Sequence, residues 1–210
     1  MRPIRPAAIA LVLTLALASS CAAAANGPGN DLRDIRIGMP VADLPDAGYS
    51  GFVCVGDAGH KLSGWSGWRN CPPDADGLHS IRFGFDPETS RDGTVVAGHP
   101  VILTALVDEA GLVAGLKIDT ETKGPLFVRK KAFLLGVQVK SRYGAEGWTC
   151  TEAQPQAGEQ PVGGVFLSER CSKAISGRAI VVQRNLFRRA NEDEKSFVNE
   201  TRVSILRVKS

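Results

Sequence analysis

The chain has 210 residues, 43% of them hydrophobic, and it carries 25 Lys and Arg against 22 Asp and Glu. After residue 25, no apolar run approaches the ~20 residues that a membrane-spanning helix needs, which excludes an integral helical membrane protein for that part of the sequence. The charges are unevenly divided, because residues 26–124 carry 8 − 14 = −6 and residues 125–210 carry 15 − 8 = +7. Such halves could attract each other or present a dipolar surface to a partner.

The N-terminus has the composition of an export signal. Arg2 and Arg5 are followed by an apolar run over 7–18 and then by small residues. A helix of roughly 12 residues is about 18 Å long, which is too short for the ~30 Å hydrocarbon core of a bilayer. We therefore predict that residues 1–25 are a signal peptide.

Two routes of signal processing are consistent with this segment. Leu17-Ala18-Ser19-Ser20-Cys21 resembles a bacterial lipobox, although its leucine lies four places before the cysteine and Ala18 stands at the third. By this route Cys21 would be lipidated and would attach the protein to the outer membrane. Ordinary cleavage within 22–25 would instead remove Cys21. Both routes predict an exported protein, either periplasmic or anchored to the outer membrane by its N-terminal lipid alone.

The first half is predicted to hold one short helix and several strands. Residues 26–34, which begin Asn-Gly-Pro-Gly-Asn, are predicted to be a flexible tether. Residues 35–44 are predicted to lead into a short helix, with Pro40 at the first helical position. Alternating apolar residues predict a half-buried strand over 78–85. Residues 101–119 predict a β-hairpin with a four-residue connection.

The second half is predicted to repeat this order with a better helix over 129–143. Phe133 and Val137 are four residues apart, and the same spacing relates Leu135 to Val139. Residues at this spacing share one face of a helix. Strands are predicted over 165–167, 179–187 and 201–208.

One sequence pattern occurs twice and predicts the domain organisation. Residues 48–54 (GYSGFVC) and 144–150 (GAEGWTC) share the skeleton Gly-x-x-Gly-aromatic-x-Cys, and a second cysteine follows each copy. The pattern indicates an internal duplication, with a first module over 35–124 and a second over 125–210. We predict an α+β fold of two tandem modules, in which each module is a short helical segment followed by an antiparallel β-sheet with one internal disulfide.

Four cysteines follow the signal, and they permit three pairings. The repeat favours Cys54–Cys71 and Cys150–Cys171, because a duplicated unit should keep its own disulfide. A bond between the equivalent Cys54 and Cys150 is the alternative, and it would require the two copies to meet at the symmetry-related point. An even number of cysteines also agrees with an oxidising compartment.

The predicted architecture resembles that of two families of exported proteins. Tandem helix-then-sheet modules with one disulfide each resemble the β-lactamase inhibitory protein. In single copy, the module resembles the small outer-membrane assembly lipoproteins of the SmpA/OmlA type, whose first motif looks like Ile37-Gly38-Met39-Pro40-Val41 here. This resemblance implies the fold class and a role in binding a protein, either as an inhibitor or as an accessory in envelope assembly.

The sequence holds no motif of a nucleophile, a metal site or a cofactor site. Two Gly-x-Ser-Gly segments lack the spacing of a nucleophile elbow. His60, His79 and His99 are the only histidines, and neither a His-x-x-x-His nor a Cys-x-x-Cys spacing is present. We therefore expect no metal and no cofactor. The basic residues have no aromatic-interleaved RNA-binding motif among them, so nucleic acid is not an expected partner.

Trp65 and Trp68 are the candidate binding residues. They lie three apart in a glycine-rich stretch, where both are hard to bury, and aromatic anchors flanked by glycine are typical of binding surfaces. In the alternative interpretation, one of them packs on the Cys54–Cys71 disulfide while the other caps the sheet.

The sequence thus predicts a non-enzymatic, exported cell-envelope protein that binds a protein partner. The surface that it would use is a face of the sheet or the Trp65/Trp68 loop. The alternative is a periplasmic hydrolase-like enzyme, with a site built from His60, His79 or His99 and nearby carboxylates in the first module.

Overall fold

A computed structural model describes residues 29–57, 59–193 and 195–208. The predicted signal peptide, the candidate lipidation site Cys21 and the first residues of the predicted tether lie outside these ranges. Within the remainder of that tether, Asp31 and Leu32 are buried.

The protein is built around a ten-stranded antiparallel sheet with the strand order β1-β2-β4-β5-β10-β9-β8-β6, in which the short β3 pairs with β4 and β7 pairs with β9. The strands are β1 (Tyr49–Cys54), β2 (His79–Phe85), β3 (Val95–Val96), β4 (His99–Val107), β5 (Val113–Thr120), β6 (Thr149–Glu152), β7 (Glu159–Gln160), β8 (Leu167–Ile175), β9 (Arg178–Arg189) and β10 (Phe197–Arg207). Helices α1 (Leu126–Arg129) and α2 (Phe133–Arg142) lie between β5 and β6.

The predicted α+β fold of two helix-then-sheet modules is wrong. The protein is mostly antiparallel β-sheet, and its only described α-helices belong to the second half. The strands of the two halves also form one continuous sheet, because β5 pairs with β10 over five residue pairs from Arg202–Asp119 to Leu206–Gly115. The predicted module boundary falls between β5 and α1, and the duplication itself stays a prediction.

The short helix expected in the first half is reduced to a 3-10 turn over Val41–Asp43. Pro45 follows this turn closely, and a residue before proline is driven out of the α region. Leu44 is accordingly extended, with φ −76° and ψ 130°. The local signals therefore allow one turn only, and this half of the sheet is covered mainly by loops and by a second 3-10 turn, Trp65–Asn70.

The helix of the second half packs closely on the sheet because of one glycine. Leu135 and Val139 are buried, and Gly136 lies between them over β9. A Cβ atom at Gly136 would come within 3.2 Å of Val182 Cγ1 and 3.0 Å of Arg184 Cδ, so a side chain here would require these neighbours to shift by a few tenths of an ångström.

The cysteine pairing and most of the strand predictions agree with the structure, but the strand predicted over 165–167 is displaced, because β8 begins at Leu167 and runs to Ile175. The predicted hairpin corresponds to β4 and β5, which pair from Val101–Thr120 to Val107–Val113. The disulfides Cys54–Cys71 and Cys150–Cys171 are both present, which confirms the pairing that the repeat favoured. The alternative bond between Cys54 and Cys150 is wrong.

Candidate functional site

The Trp65/Trp68 stretch does not provide an exposed aromatic surface. Trp65 and Trp68 are only 1% and 5% exposed, which corrects the expectation that both would be hard to bury. The ring of Trp65 meets those of Phe52 and Phe83 edge to face, with centroids 4.9 Å and 4.8 Å away. Such T-shaped contacts are a favourable aromatic geometry, and here they build the core beneath the 3-10 turn.

The glycines around these tryptophans serve packing. Trp65 donates its backbone N–H to Asp46 Oδ1 over 2.9 Å and its indole Nε1–H to the Pro45 carbonyl over 3.1 Å. A Cβ atom at Gly64 would come within 2.4 Å of the Asp46 carboxylate. The glycine therefore lets the carboxylate reach the backbone and hold the tryptophan in place.

The three histidines do not assemble into one site. His60 is exposed, whereas His79 and His99 are buried. His99 Nδ1 lies 2.7 Å from the backbone carbonyl oxygen of the next residue, Pro100. His79 Nδ1 lies 2.6 Å from the Cys71 carbonyl, so each buried ring is held by the backbone.

His79 is the histidine that comes nearest to a carboxylate among the described residues. Its Nε2 lies 3.5 Å from Glu109 Oε1, beyond the ~3.2 Å reach expected of a general base. The imidazole packs edge to face on Trp68, with ring centroids 4.8 Å apart. Nε2 itself is buried and has no hydrogen-bond partner among the described residues, so it is not presented to a substrate in this conformation. This geometry gives the hydrolase hypothesis no support.

One concavity lies where the β4–β5 turn faces the end of β10. It has a volume of about 520 Å³ and is lined by Leu78, Ala114 and Leu206, with Asp76 and Glu109 among its polar residues. The cation in its wall, Arg207, is paired with Asp108. The cleft brings together an apolar floor and carboxylates, but no nucleophile and base within reach of each other.

Exposed apolar side chains concentrate in the second half. Phe127, Phe133, Val137 and Val165 are 67%, 42%, 50% and 53% exposed, whereas the large exposed apolar residue of the first half is Val55, at 39%. Helix α2 is therefore apolar on two faces, since Leu135 and Val139 face the sheet while Phe133 and Val137 face outward. Clustered exposed apolar residues mark interaction surfaces more often than single ones do.

Phe133 and Val165 line a second concavity of about 300 Å³. Leu167 and Leu186 complete its apolar wall. We call this concavity, defined by those four residues, the apolar groove. It lies where the outer face of α2 meets strands β8 and β9 and the segment before β8.

The charged residues at the margin of the apolar groove are two cations and one carboxylate. Lys130 and Arg184 belong to its wall, together with Glu200. The Glu200 carboxylate is already engaged, because it accepts hydrogen bonds from Asn185 Nδ2 over 2.9 Å and from Arg202 over 3.1 Å. The Arg184 guanidinium lies 4.0 Å from Glu169 Oε2, whereas Lys130 is exposed, so the positive charge that the groove offers to a ligand comes mainly from Lys130.

Three potential metal ligands meet elsewhere in the second half. Ligand atoms of Cys150, Glu169 and Cys171 lie within 4.8 Å of one another. However, the two sulfurs are joined in a disulfide, and the Lys140 ammonium lies 3.0 Å from Cys171 Sγ. A cation at that position opposes the binding of a metal ion, so the group does not fit a metal centre.

Comparison with models of protein families, with curated proteins and with solved structures found no match. None of the described helices has the length and apolar composition needed to cross a membrane. The candidate site therefore rests on the chain's own geometry.

Sequence reasoning missed the apolar groove, although its signal was present. Phe133–Val137 and Leu135–Val139 are two apolar pairs on different faces of one helix, and only one of those faces can pack on the sheet. The second pair had to be exposed or covered by another element. Which pair faced outward depended on the close approach at Gly136, and this contact is tertiary.

Proposed function

We propose that this protein is a non-enzymatic, exported cell-envelope protein that binds an acidic segment of a partner protein in the apolar groove. The observation that carries the proposal is the concentration of exposed apolar side chains around Phe133 and Val165. The role would be that of an inhibitor or of an accessory in envelope assembly. The proposed localisation, to the periplasm or to the outer membrane, is based on the export signal predicted from the sequence.

The charge of the second half supports the acidic character of the partner. Residues 125–210 carry a net charge of 15 − 8 = +7, and Lys130 and Arg184 stand at the groove itself. Opposite charge on the partner would speed association and fix its orientation. The apolar residues would provide most of the affinity, because buried aromatic and aliphatic anchors dominate protein interfaces.

The dimensions of the groove suit a short segment better than a flat protein face. A volume of about 300 Å³ accommodates one or two large side chains, and the outer face of α2 extends the contact through Val137. We therefore expect recognition of a peptide segment in which one or two apolar anchors are flanked by Asp or Glu.

The proposal can be tested with pairs of peptides that share their apolar residues and differ only in the sign of their charges. The full chain is immobilised, and peptide binding is measured at low and at high salt. We expect the acidic member of each pair to bind more tightly, and its advantage to shrink at high salt because the charges are screened. The double variant Phe133→Ser/Val165→Ser should lose roughly ten-fold or more in affinity, since truncation of an interface anchor typically costs more than ~1 kcal/mol.

Val55→Ser is the matched control, because it removes an exposed apolar side chain from the first half. It should bind acidic peptides as the unmodified protein does. Equal binding of acidic and basic peptides, or undiminished binding by Phe133→Ser/Val165→Ser, would refute the proposed site. Photo-crosslinking from position 137 in envelope extracts, with position 55 as its control, would then identify the natural partner.

A further inference from the structure

The two disulfides of this protein differ in their access to solvent. Cys54 and Cys71 are each 1% exposed and belong to the core of the first half. Cys171 is also buried, but Cys150 is exposed. Cys150 lies on β6, the last strand of the sheet, which pairs only with β8 and whose four residues are all exposed.

The surroundings of the second disulfide are charged. Lys140 Nζ lies 3.0 Å from Cys171 Sγ and 3.9 Å from Cys150 Sγ, so the ammonium is nearer to the buried sulfur. The same ammonium lies 2.8 Å from Glu169 Oε1, which is itself 3.0 Å from Cys171 Sγ. The Arg184 guanidinium lies 4.0 Å from Glu169 Oε2.

The local charges are unbalanced while the disulfide is intact. Two cations, Lys140 and Arg184, face one carboxylate, Glu169. Arg184 Nε is buried and has no hydrogen-bond partner in the described part of the chain. A Cys171 thiolate would supply the negative charge that balances the two cations and Glu169. It would lie 3.0 Å from Glu169 Oε1, and the Lys140 ammonium, in contact with both groups, would offset their repulsion.

We propose that Cys150–Cys171 is a thiol–disulfide exchange site, at which a small thiol attacks Cys150 and Lys140 stabilises Cys171 as the leaving thiolate. The incoming thiolate forms a new S–S bond with Cys150 Sγ. The Cys150–Cys171 bond breaks, and its electron pair stays on Cys171 Sγ beside the Lys140 ammonium. The product is a mixed disulfide on Cys150 with a thiolate at Cys171.

A second thiol completes the exchange. It attacks the sulfur of the small molecule in the mixed disulfide, releases the oxidised small-molecule disulfide and leaves Cys150 as a thiolate that takes a proton from water. Two thiols are thereby oxidised and one protein disulfide is reduced. The reverse sequence reoxidises the protein, so the site can exchange in either direction with a thiol pool. The rate of such reactions depends on access to the attacked sulfur and on stabilisation of the leaving sulfur, and the geometry provides both.

The test uses reduced glutathione and the oxidised, folded full chain. The reaction is stopped with acid at intervals, free thiols are alkylated, and the modified cysteines are identified by peptide mass spectrometry. We expect the glutathione adduct on Cys150 and the alkyl group on Cys171, while Cys54–Cys71 stays intact. Reaction at Cys150–Cys171 should be roughly ten-fold or more faster than at the buried disulfide, which is an internal control in the same molecule.

Lys140→Gln tests the role of the ammonium, and Arg170→Gln is its matched control. Arg170 is an exposed cation next to Cys171 in β8, and strand alternation directs its side chain to the opposite face of the sheet. Lys140→Gln should slow the exchange by at least roughly three-fold, and Arg170→Gln should change it less. Circular dichroism establishes that both variants are folded before their rates are compared.

Three outcomes would overturn the proposal. The first is an adduct on Cys171 in place of Cys150, and the second is equal reduction rates for the two disulfides. The third is that Lys140→Gln and Arg170→Gln slow the exchange equally. That result would show that Lys140 acts only as one of several nearby positive charges and not through its contact with Cys171. The first two are read from the unmodified protein and do not depend on the folding of any variant.

Discussion

The Asp31 carboxylate and the Arg178 guanidinium form an ion pair that joins the start of the described chain to strand β9. Arg178 Nε donates to Asp31 Oδ1 over 2.7 Å. The Arg178 side chain is 10% exposed and the Asp31 side chain is fully buried. Tyr143 at the end of α2 also donates to Oδ1, while the Ile37 backbone N–H donates to Oδ2. One buried carboxylate thereby ties together the N-terminal segment, the helix and the sheet.

Loss of this carboxylate should be among the most destabilising polar changes in the protein. Asp31→Ala removes the charge that faces Arg178 and the acceptor used by Tyr143, and breaking a buried pair in this way typically costs ~3–5 kcal/mol. Urea unfolding measures the loss. Asp92→Ala, at an exposed loop position, is the control and should change the free energy of unfolding by less than about 0.5 kcal/mol. Similar losses from both variants would show that the network contributes little.

Replacement of Trp65 should act on stability and not specifically on binding. The indole is buried among aromatic rings, so Trp65→Ala should cost ~3–5 kcal/mol of unfolding free energy. Thermal unfolding measures this loss. If Trp65→Ala were as stable as the unmodified protein but failed to bind the acidic peptides, the tryptophan would belong to the binding surface and our assignment to the core would be wrong.

The two tyrosines should resist ionisation in the folded protein. Burial raises the pKa of Tyr49 to about 12. Burial, followed by the hydrogen bond to Asp31, raises the pKa of Tyr143 above its ordinary value of 10.0. These are the only tyrosines of the chain, so native protein near pH 11 should show little tyrosinate absorbance, and unfolding at that pH should reveal both.

The raised pKa values of the two tyrosines also predict how the free energy of unfolding changes with pH. A pKa that is raised on folding contributes stability that is complete below the unfolded pKa and is lost as the pH rises toward the folded pKa. The free energy of unfolding should therefore fall from about pH 10 upward. Tyr49→Phe removes one of the two groups and should reduce the slope. A native protein that titrates fully near pH 10 would contradict the burial of both phenols.

Asp119 provides a test at the acid end. Burial raises the pKa of this carboxyl above its ordinary value of 3.8, although Arg202, its partner across β5 and β10, acts in the opposite direction. Its contribution to stability is therefore complete below about pH 3.8 and is lost as the pH rises. Asp119→Asn should raise the melting temperature at pH 7, and the difference should vanish near pH 3. A lower melting temperature at pH 7 would mean that the attraction of Arg202 outweighs the cost of burial.

The local features of this fold were readable from the sequence. Two copies of a glycine-and-cysteine pattern predicted both disulfides, because a duplicated unit keeps its own covalent link. The apolar alternation over 78–85 predicted β2, and the spacing of Leu135 and Val139 predicted the helix that packs on the sheet. All of these signals depend on residues close together in the chain, where the period of the backbone fixes which side chains share a face.

The tertiary structure alone decided how these pieces assemble and which residues are exposed. The pairing of β5 with β10 merges the two halves into one sheet, and Asp31 meets Arg178 across a separation of 147 residues. The same packing buries Trp65 and Trp68 and leaves Phe133 and Val137 outside. A sequence records the apolar character of a side chain, but its burial depends on which distant strand or helix covers it, and that choice is made by non-local pairing and close packing.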